Sequence, residues 1–425
     1  MRPYDLSKGW VAPVRAPDFA RRVHYQLAFR RYRLPFRGAV RTAHGVWAVR
    51  EGLIVRLEDE SGAVGYGEAA PIPGFGSETV EQDAAELDGW GGRVDEARLA
   101  MVPTNLGCLK NALAAAVPIS AAGRIANLAA TSARWPTTAP AYLPVAALLP
   151  AGRPALARVG PQAEAGFRVF KWKVGVDDLE DELALLDDLC AALPNGAKLR
   201  LDANGAWDRR RAERWFERCA DRPVEYIEQP CFAEASQGLA GRGKVEDVLL
   251  GLAGDYPTPL ALDESLVHDG DIERWIGAGW PGVYVVKPLL LGDIKGTIET
   301  LASAKAKVVF SSVLETGVGA KHALRAVFAW SGEVAGPEIA KMETRPSGRA
   351  DGDPSSPRLR RADREVAAPT IPAKPTGPAP VHTALGFGVW PLFADERFDG
   401  PIAAPFLYRE DVERINPEAI WNALS

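Results

Sequence analysis

Apolar and polar residues alternate early in the chain. Val23-His24-Tyr25-Gln26-Leu27-Ala28-Phe29 alternates loosely and Gly52 to Asp59 more strictly, and Ala63 to Ala70 follows the short turn Glu60-Ser61-Gly62. A period of two puts one face of a strand on a core and the other in water. The three runs therefore predict antiparallel strands, the last two as a hairpin. Pro71 to Gly76 reads as a loop and Ser77-Glu78-Thr79-Val80 as a helix start, with helical patterning to about residue 130.

From Tyr142 the pattern changes. Leu143 to Leu149 reads as a short buried strand and Arg168 to Lys173 as the next. Leu179, Leu183, Leu186 and Leu189 then form one helical stripe behind Asp177-Asp178. The alternation continues with strands at Lys198–Asp202, Val224–Glu228, Pro259–Asp263, Gly282–Lys287 and Val308–Ser311. Helices are predicted at Arg209–Cys219, Asp271–Ile276, Ile294–Ala304 and Gly317–Trp330. Strands alternating with helices of this length imply a parallel sheet, and so many units favour a closed barrel. The fold class is therefore α/β, with an N-terminal α+β domain over residues 1–140 and a barrel over 141–390. Two stretches interrupt the rhythm. Cys231 to Tyr256 is too long for a plain connection, although Val245–Leu252 reads as helix. Residues 342–382 hold eight prolines and the basic cluster Arg358, Arg360, Arg361 and Arg364, and read as a disordered insertion. Order resumes at Thr383 to Val389 as a final strand, and the tail 391–425 is expected to pack on the first domain.

Composition narrows the function. A formal net charge of −5 over 425 residues, with 47% hydrophobic residues, gives no reason to expect nucleic acid or a membrane surface as partner. No apolar run is long enough to span a bilayer and no leader is apparent, so a cytoplasmic protein is expected. Five His residues are too few and scattered for a His-based zinc site. Cys108, Cys190, Cys219 and Cys231 lack paired spacing and read as reduced thiols.

The candidate chemistry lies at the strand ends. In a βα barrel the C-terminal ends of the strands face the active site, and Asp202, Glu228 and Asp263 hold that position on three consecutive strands. Three converging carboxylates repel one another and call for a cation, and oxygen ligands favour a hard ion, Mg²⁺ or Mn²⁺. The alternative is that each caps the helix that follows. Lys171 and Lys173 are two apart on one strand and share a face, as do Arg200 and Asp202. Mutual repulsion, a nearby metal and Arg200 are expected to lower a lysine pKa from its reference of about 10.4. Lys287 arrives from a strand on the opposite side. A base, a second ammonium and a cation are the set that α-proton abstraction from a carboxylate substrate requires.

These motifs, Lys171-Trp172-Lys173, Asp202 to Trp207, Ile227 to Pro230, Leu262 to Ser265 and Val286 to Pro288, resemble the enolase superfamily, in its muconate-lactonizing subgroup. Thr42 to Trp47, Gly65 to Gly76, Ser311 to Gly317 and Leu385 to Gly388 are similar to its branch of dehydratases that form o-succinylbenzoate. The resemblance implies a modified (β/α)7β barrel under an N-terminal capping domain, Mg²⁺ dependence and a small carboxylate substrate. It implies Lys173 as acid/base, Lys287 as stabiliser of the enediolate, and Asp202, Glu228 and Asp263 as metal ligands. Lys171, Arg200, Asn204 and Glu264 would support them. Ser311 and Ser312 would meet a substrate carboxylate, and His44, Gly45 and Phe75 lie on loops that would close over the succinyl arm. N-succinyl amino acid racemisation, or another epimerase or cycloisomerase reaction of the subgroup, is the alternative use of the same lysine pair.

Overall fold

The structure is a computed structural model and describes residues 23–42, 45–118, 139–232, 238–335, 383–402 and 404–424. The first part is a four-stranded antiparallel sheet of β1 (His24–Thr42), β2 (Gly45–Asp59), β3 (Val64–Ala69) and β4 (Arg93–Asp95), in the order β3-β2-β1-β4. The predicted hairpin is β2–β3: Asp59 Oδ1 accepts from the Ser61 amide at 2.9 Å and the Ala63 amide at 3.0 Å, closing the turn. The first two strands extend well beyond the expected runs. Tyr32, Leu34 and Phe36 are buried while Arg31, Arg33, Pro35 and Arg37 between them are exposed. The period of two is present there, but arginines and a proline on the outer face hide it. The register shifts between Pro35 and Val40, because proline has no amide to donate to the ladder.

Three helices follow: α1 (Val80–Asp88), α2 (Glu96–Ala100) and α3 (Gly107–Ala116). α1 begins with a capping box between Thr79 and Gln82, as Ser77 to Val80 suggested. α3 lies directly on β3 because two strand positions carry no side chain. A Cβ on Gly67 would meet the Ala112 carbonyl at 1.9 Å, and one on Gly65 the Ala116 carbonyl at 2.2 Å.

The larger part is a parallel sheet of seven strands in sequence order: β6 (Ala147–Leu149), β7 (Val169–Lys173), β8 (Lys198–Asp202), β9 (Val224–Glu228), β10 (Leu260–Leu262), β11 (Val283–Val286) and β12 (Lys307–Phe310). Leu385 bridges to Val145 and Gly386 to Ser311, both parallel, so the segment after the predicted insertion closes the circle between β12 and the start of β6. The insertion 342–382 itself lies outside the described residues. The intervening helices are α4 (Pro154–Ala165), α5 (Leu179–Ala192), α6 (Arg209–Cys219), α7 (Gly238–Asp255), α8 (Asp269–Gly277), α9 (Ile294–Ser303) and α10 (Gly317–Ala335). The enlarged connection after Cys231 is mostly α7, longer than the Val245–Leu252 helix expected. Their apolar faces pack on the sheet through large aromatics. Trp215 and Trp207 stack with centroids 5.0 Å apart, and Trp172 meets Trp215 edge-on.

The run Leu143–Leu149 is not one strand. Tyr142–Pro144 forms β5 and pairs antiparallel with β13 (Phe406–Tyr408) of the tail, and only Ala147–Leu149 joins the barrel. An uninterrupted apolar run gives no sign of where a chain changes partner. The tail, with α11 (Arg409–Arg414) and α12 (Pro417–Ala423), touches both parts: Phe393 bridges to Phe36, and the Arg30 guanidinium lies 4.3 Å from the centre of the Trp421 ring. The four cysteines are free thiols. Among the described residues no helix is long and apolar enough to cross a membrane.

Two predictions follow from the cap. Gly67→Ala overpacks the α3–β3 contact and is expected to cost about 1–3 kcal/mol, read as a lower urea midpoint. Asp83 is fully buried with neither carboxyl oxygen partnered, and burial, then Glu78 and Glu81, push its pKa up to about 8. The fold keeps this proton while the unfolded chain loses it, so the contribution to stability is full below about pH 4 and declines as pH rises towards about 8. Asp83→Asn is expected to melt higher than the wild type at neutral pH, with the gain shrinking at about pH 5.

Candidate active site

Side chains on alternate positions of the barrel strands point inward, so the last inward residue of each strand reaches the C-terminal rim. Lys173 on β7, Asp202 on β8, Glu228 on β9, Asp263 just after β10, Lys287 just after β11 and Ser311 just after β12 form that ring. Lys173 and Asp202 are register partners, as are Asp202 and Glu228. β7 and β11 are separated by three strands, so Lys173 and Lys287 come from opposite walls. One layer down lie Lys171, Arg200 and Tyr226, and Ala261, Val285 and Val309 complete the floor with apolar packing.

A cavity of about 790 Å³ opens over this ring. Its charged base includes Lys171, Lys173, Asp202, Asp263, Glu264 and Lys287; its mouth is apolar, with Trp47, Ile72, Phe75, Leu148 and Val389. Asp202, Glu228 and Asp263 are all at most 5% exposed. The helix after β8 is capped at Asp208 and the helix after β10 begins at His268, so Asp202 and Asp263 are not spent on capping.

Charge balance governs the base. The Lys171 Nζ donates to Glu228 Oε1 at 2.7 Å and lies 3.0 Å from Asp202 Oδ2, and Lys287 Nζ pairs with Asp263. Burial disfavours the Lys171 ammonium, but Asp202 and Glu228 outweigh it and hold its pKa well above the usual lysine value. Burial likewise opposes ionisation of Asp202, yet the three lysines hold it below the ordinary carboxylate range. Glu228 lacks that surplus: burial, then Asp202, push it up to about 8. Glu264 also rises to about 8, through burial and then Asp263.

Among the described residues no three His, Cys, Asp or Glu side chains form a ready metal cluster; ammonium groups stand between the carboxylates instead. The acceptors nevertheless suit a hard cation. Glu228 Oε2, Glu264 Oε2 and Asn204 Oδ1 are buried with no hydrogen-bond partner, an oxygen-only set next to Asp202 and Asp263.

The other predicted residues divide. Asn204 lines the cavity and its Nδ2 donates to Glu264 Oε1 at 3.0 Å. Phe75 lies with its ring centre 4.5 Å from Lys287 Nζ. Ser311 and Ser312 line the cavity too, but their hydroxyls donate inward, to the Gly386 carbonyl at 3.3 Å and to Glu315 Oε2 at 2.7 Å. Arg200 does not line it: its guanidinium binds both oxygens of Glu225 and donates to the Ala384 carbonyl at 2.7 Å, below the floor. His44 lies outside the described residues, and Gly45 opens β2. Sequence reasoning missed the apolar mouth at Leu148, at the end of β6, for which the strand-end rule was a sufficient signal. It also missed Gln229, which is buried at a φ of 36°. Gln229 Oε1 accepts from the amides of Asp263 at 3.0 Å and Ser265 at 3.2 Å, and its Nε2 donates to the Cys231 carbonyl and Ser265 Oγ. It thereby fixes the backbone that carries Asp263.

With this geometry in view, the comparisons agree. Residues 155–388 match the family model described as "Enolase C-terminal domain-like" and residues 24–105 that described as "MenC, N-terminal domain". The o-succinylbenzoate synthase of Thermosynechococcus vestitus is 39% identical over 295 residues, 68% of this chain and 84% of its own. That of Photorhabdus laumondii is 28% identical, over 68% and 82%. The crystal structure of o-succinylbenzoate synthase from Thermosynechococcus elongatus, complexed with Mg in its active site, superposes with a TM-score of 0.63 at 32% identity, covering 94% of this chain and 99% of that one. An L-Ala-D/L-Glu epimerase from Bacillus subtilis, 20% identical at a TM-score of 0.56 over 72% and 86%, shares the fold. The chain belongs to the enolase superfamily, and within it to the o-succinylbenzoate synthase family.

Gln229→Leu strands the Asp263 and Ser265 amides without an acceptor. It is expected to destabilise the fold by about 1–3 kcal/mol per orphaned group, seen as a lower thermal midpoint.

Proposed function

We propose that this chain is a dehydratase that converts a succinyl-hydroxycyclohexadiene carboxylate to o-succinylbenzoate by syn-elimination of water, a step towards menaquinone or phylloquinone. The observation that carries the reading is a pair of lysines on opposite walls of a carboxylate-floored cavity, in a chain 39% identical to an o-succinylbenzoate synthase. Asp202, Glu228 and Asp263 would hold one Mg²⁺, which when bound supplies positive charge against the enediolate oxygens. Lys173 takes the proton α to the ring carboxylate and then returns it to the departing hydroxyl on the same face. A single residue doing both suits a syn-elimination. Lys287, opposite, holds ammonium charge over the other face as negative charge develops. Lys171 ties Asp202 to Glu228, and the Asn204–Glu264 pair braces the neighbouring rim. The apolar mouth would shed water from the reacting ring, and Phe75 and Trp47 in its lining would lie against the succinyl arm.

The test is direct. Purified protein with Mg²⁺ should generate the absorbance of o-succinylbenzoate from the diene, chelation with EDTA should abolish it, and Lys173→Ala should lower kcat by at least about a thousandfold. Wild type that leaves the diene untouched but racemises N-succinyl amino acids would overturn the dehydratase assignment. Activity unchanged by EDTA would overturn the metal.

A further inference from the structure

The two lips of the cavity come from different parts of the fold, and one buried side chain holds both. One lip is the cap loop carrying Ile72, Pro73 and Phe75; the other is the barrel loop of Ser312, Val313 and Leu314. Arg50, on β2 of the cap, has no exposed surface. Its Nη2 donates to the Ala70 carbonyl at 2.5 Å and its Nη1 to the Pro71 carbonyl at 2.8 Å, at the root of the first lip. Its Nε donates to the Leu314 carbonyl at 3.1 Å, in the second. Nη1 also reaches the Glu51 carbonyl at 2.7 Å, and the guanidinium lies 5.1 Å from the centre of the Trp47 ring in the cavity wall.

All four acceptors are backbone carbonyls, so the buried charge is solvated by main-chain dipoles of three separate segments. A fork of donors in one plane can span them, and a single ammonium cannot. Leu314 is held in the left-handed region at a φ of 62°, uncommon for a branched side chain, and that conformation accompanies the carbonyl's approach to Arg50. Phe75, three residues beyond Ile72, is the residue that rests over Lys287. Behind the second lip, Ser312 and the Val313 amide are tied to Glu315, so the loop moves as a unit.

We propose that Arg50 is a positioning residue that fixes the Ala70–Phe75 loop against the Ser312–Leu314 loop and thereby sets the substrate-binding mouth over the lysine pair. This rests on the dehydratase reading for its kinetic arm only. Arg50→Met is expected to lower kcat/KM about 10–100-fold, carried mainly by KM, because the lips shift while the rim carboxylates and Lys173 stay on their strands. Guanidinium ion at sub-denaturing concentration should restore part of the lost KM, and Arg50→Lys should fall between wild type and Arg50→Met. Hydrogen exchange should show residues 70–75 and 312–315 losing protection together in Arg50→Met, with α6 unchanged. A kcat/KM within about twofold of wild type, a loss confined to kcat, or an equal loss of protection in α6 would each overturn the proposal. Should Arg50→Met fail to fold, Arg50→Lys is held to the same criteria. If wild type does not act on the diene, the dehydratase reading fails, and the exchange result alone decides whether Arg50 couples the lips.

Discussion

Burying like charge at one end of a sheet is the constraint to which the rest of the structure answers. Asp202, Glu228 and Asp263 come from adjacent strands and are almost fully withdrawn from water. Separated carboxylates in such a place would abandon their charge, and Glu228 goes part of that way, with its pKa pushed up to about 8. The lysines prevent the rest. Lys171, one layer below, bridges two of the carboxylates, and Lys287 pairs with the third. Carboxyl and ammonium groups therefore coexist in a small volume.

The barrel can hold such a set because its floor is a packed layer and not a pore. Tyr226, Ala261, Val283, Val285 and Val309 form their own apolar cluster beneath the charges. Arg200 is part of this floor and is paired with Glu225 on the next strand. Rigidity comes from the outer layer, where aromatics such as Trp172 and Trp215 lock helices to strands.

The cap is joined to this assembly through a second buried carboxylate. Glu68 on β3 accepts from Tyr32 Oη at 2.6 Å and from the Thr316 and Gly319 amides at 2.9 and 2.8 Å, and it also takes the Thr316 hydroxyl. The amides belong to the start of α10, where unpaired donors and the helix dipole favour an anion. A charge in the cap thus completes a helix of the barrel. Arg50 is buried in the same seam, and Phe75, a few residues beyond Glu68, faces the cavity. The two parts of the fold share one set of buried polar bonds, and the mouth of the site is built on it.

Much of this was legible from the chain alone. The βα rhythm announced the parallel barrel, and charged residues closing successive apolar runs announced the rim, because strand period and strand-end position are local properties of sequence. Asp202, Glu228, Asp263, Lys173 and Lys287 were found that way. The folded structure decided what depends on distant partners. Leu143–Leu149 divides between the tail and the barrel, since an apolar run carries no mark of which neighbour will take each half. Arg200 and Lys171 share the inward face, yet one is neutralised by Glu225 and the other holds two rim carboxylates together, a difference set by which side chains meet across strands. Gln229 and Glu68 lie inside the quoted motifs and Arg50 outside them, but the role of each was hidden, because it consists of bonds to groups that only the tertiary fold brings near. Sequence periodicity fixes which residues point inward; electrostatic complementarity across the closed barrel fixes what each does there.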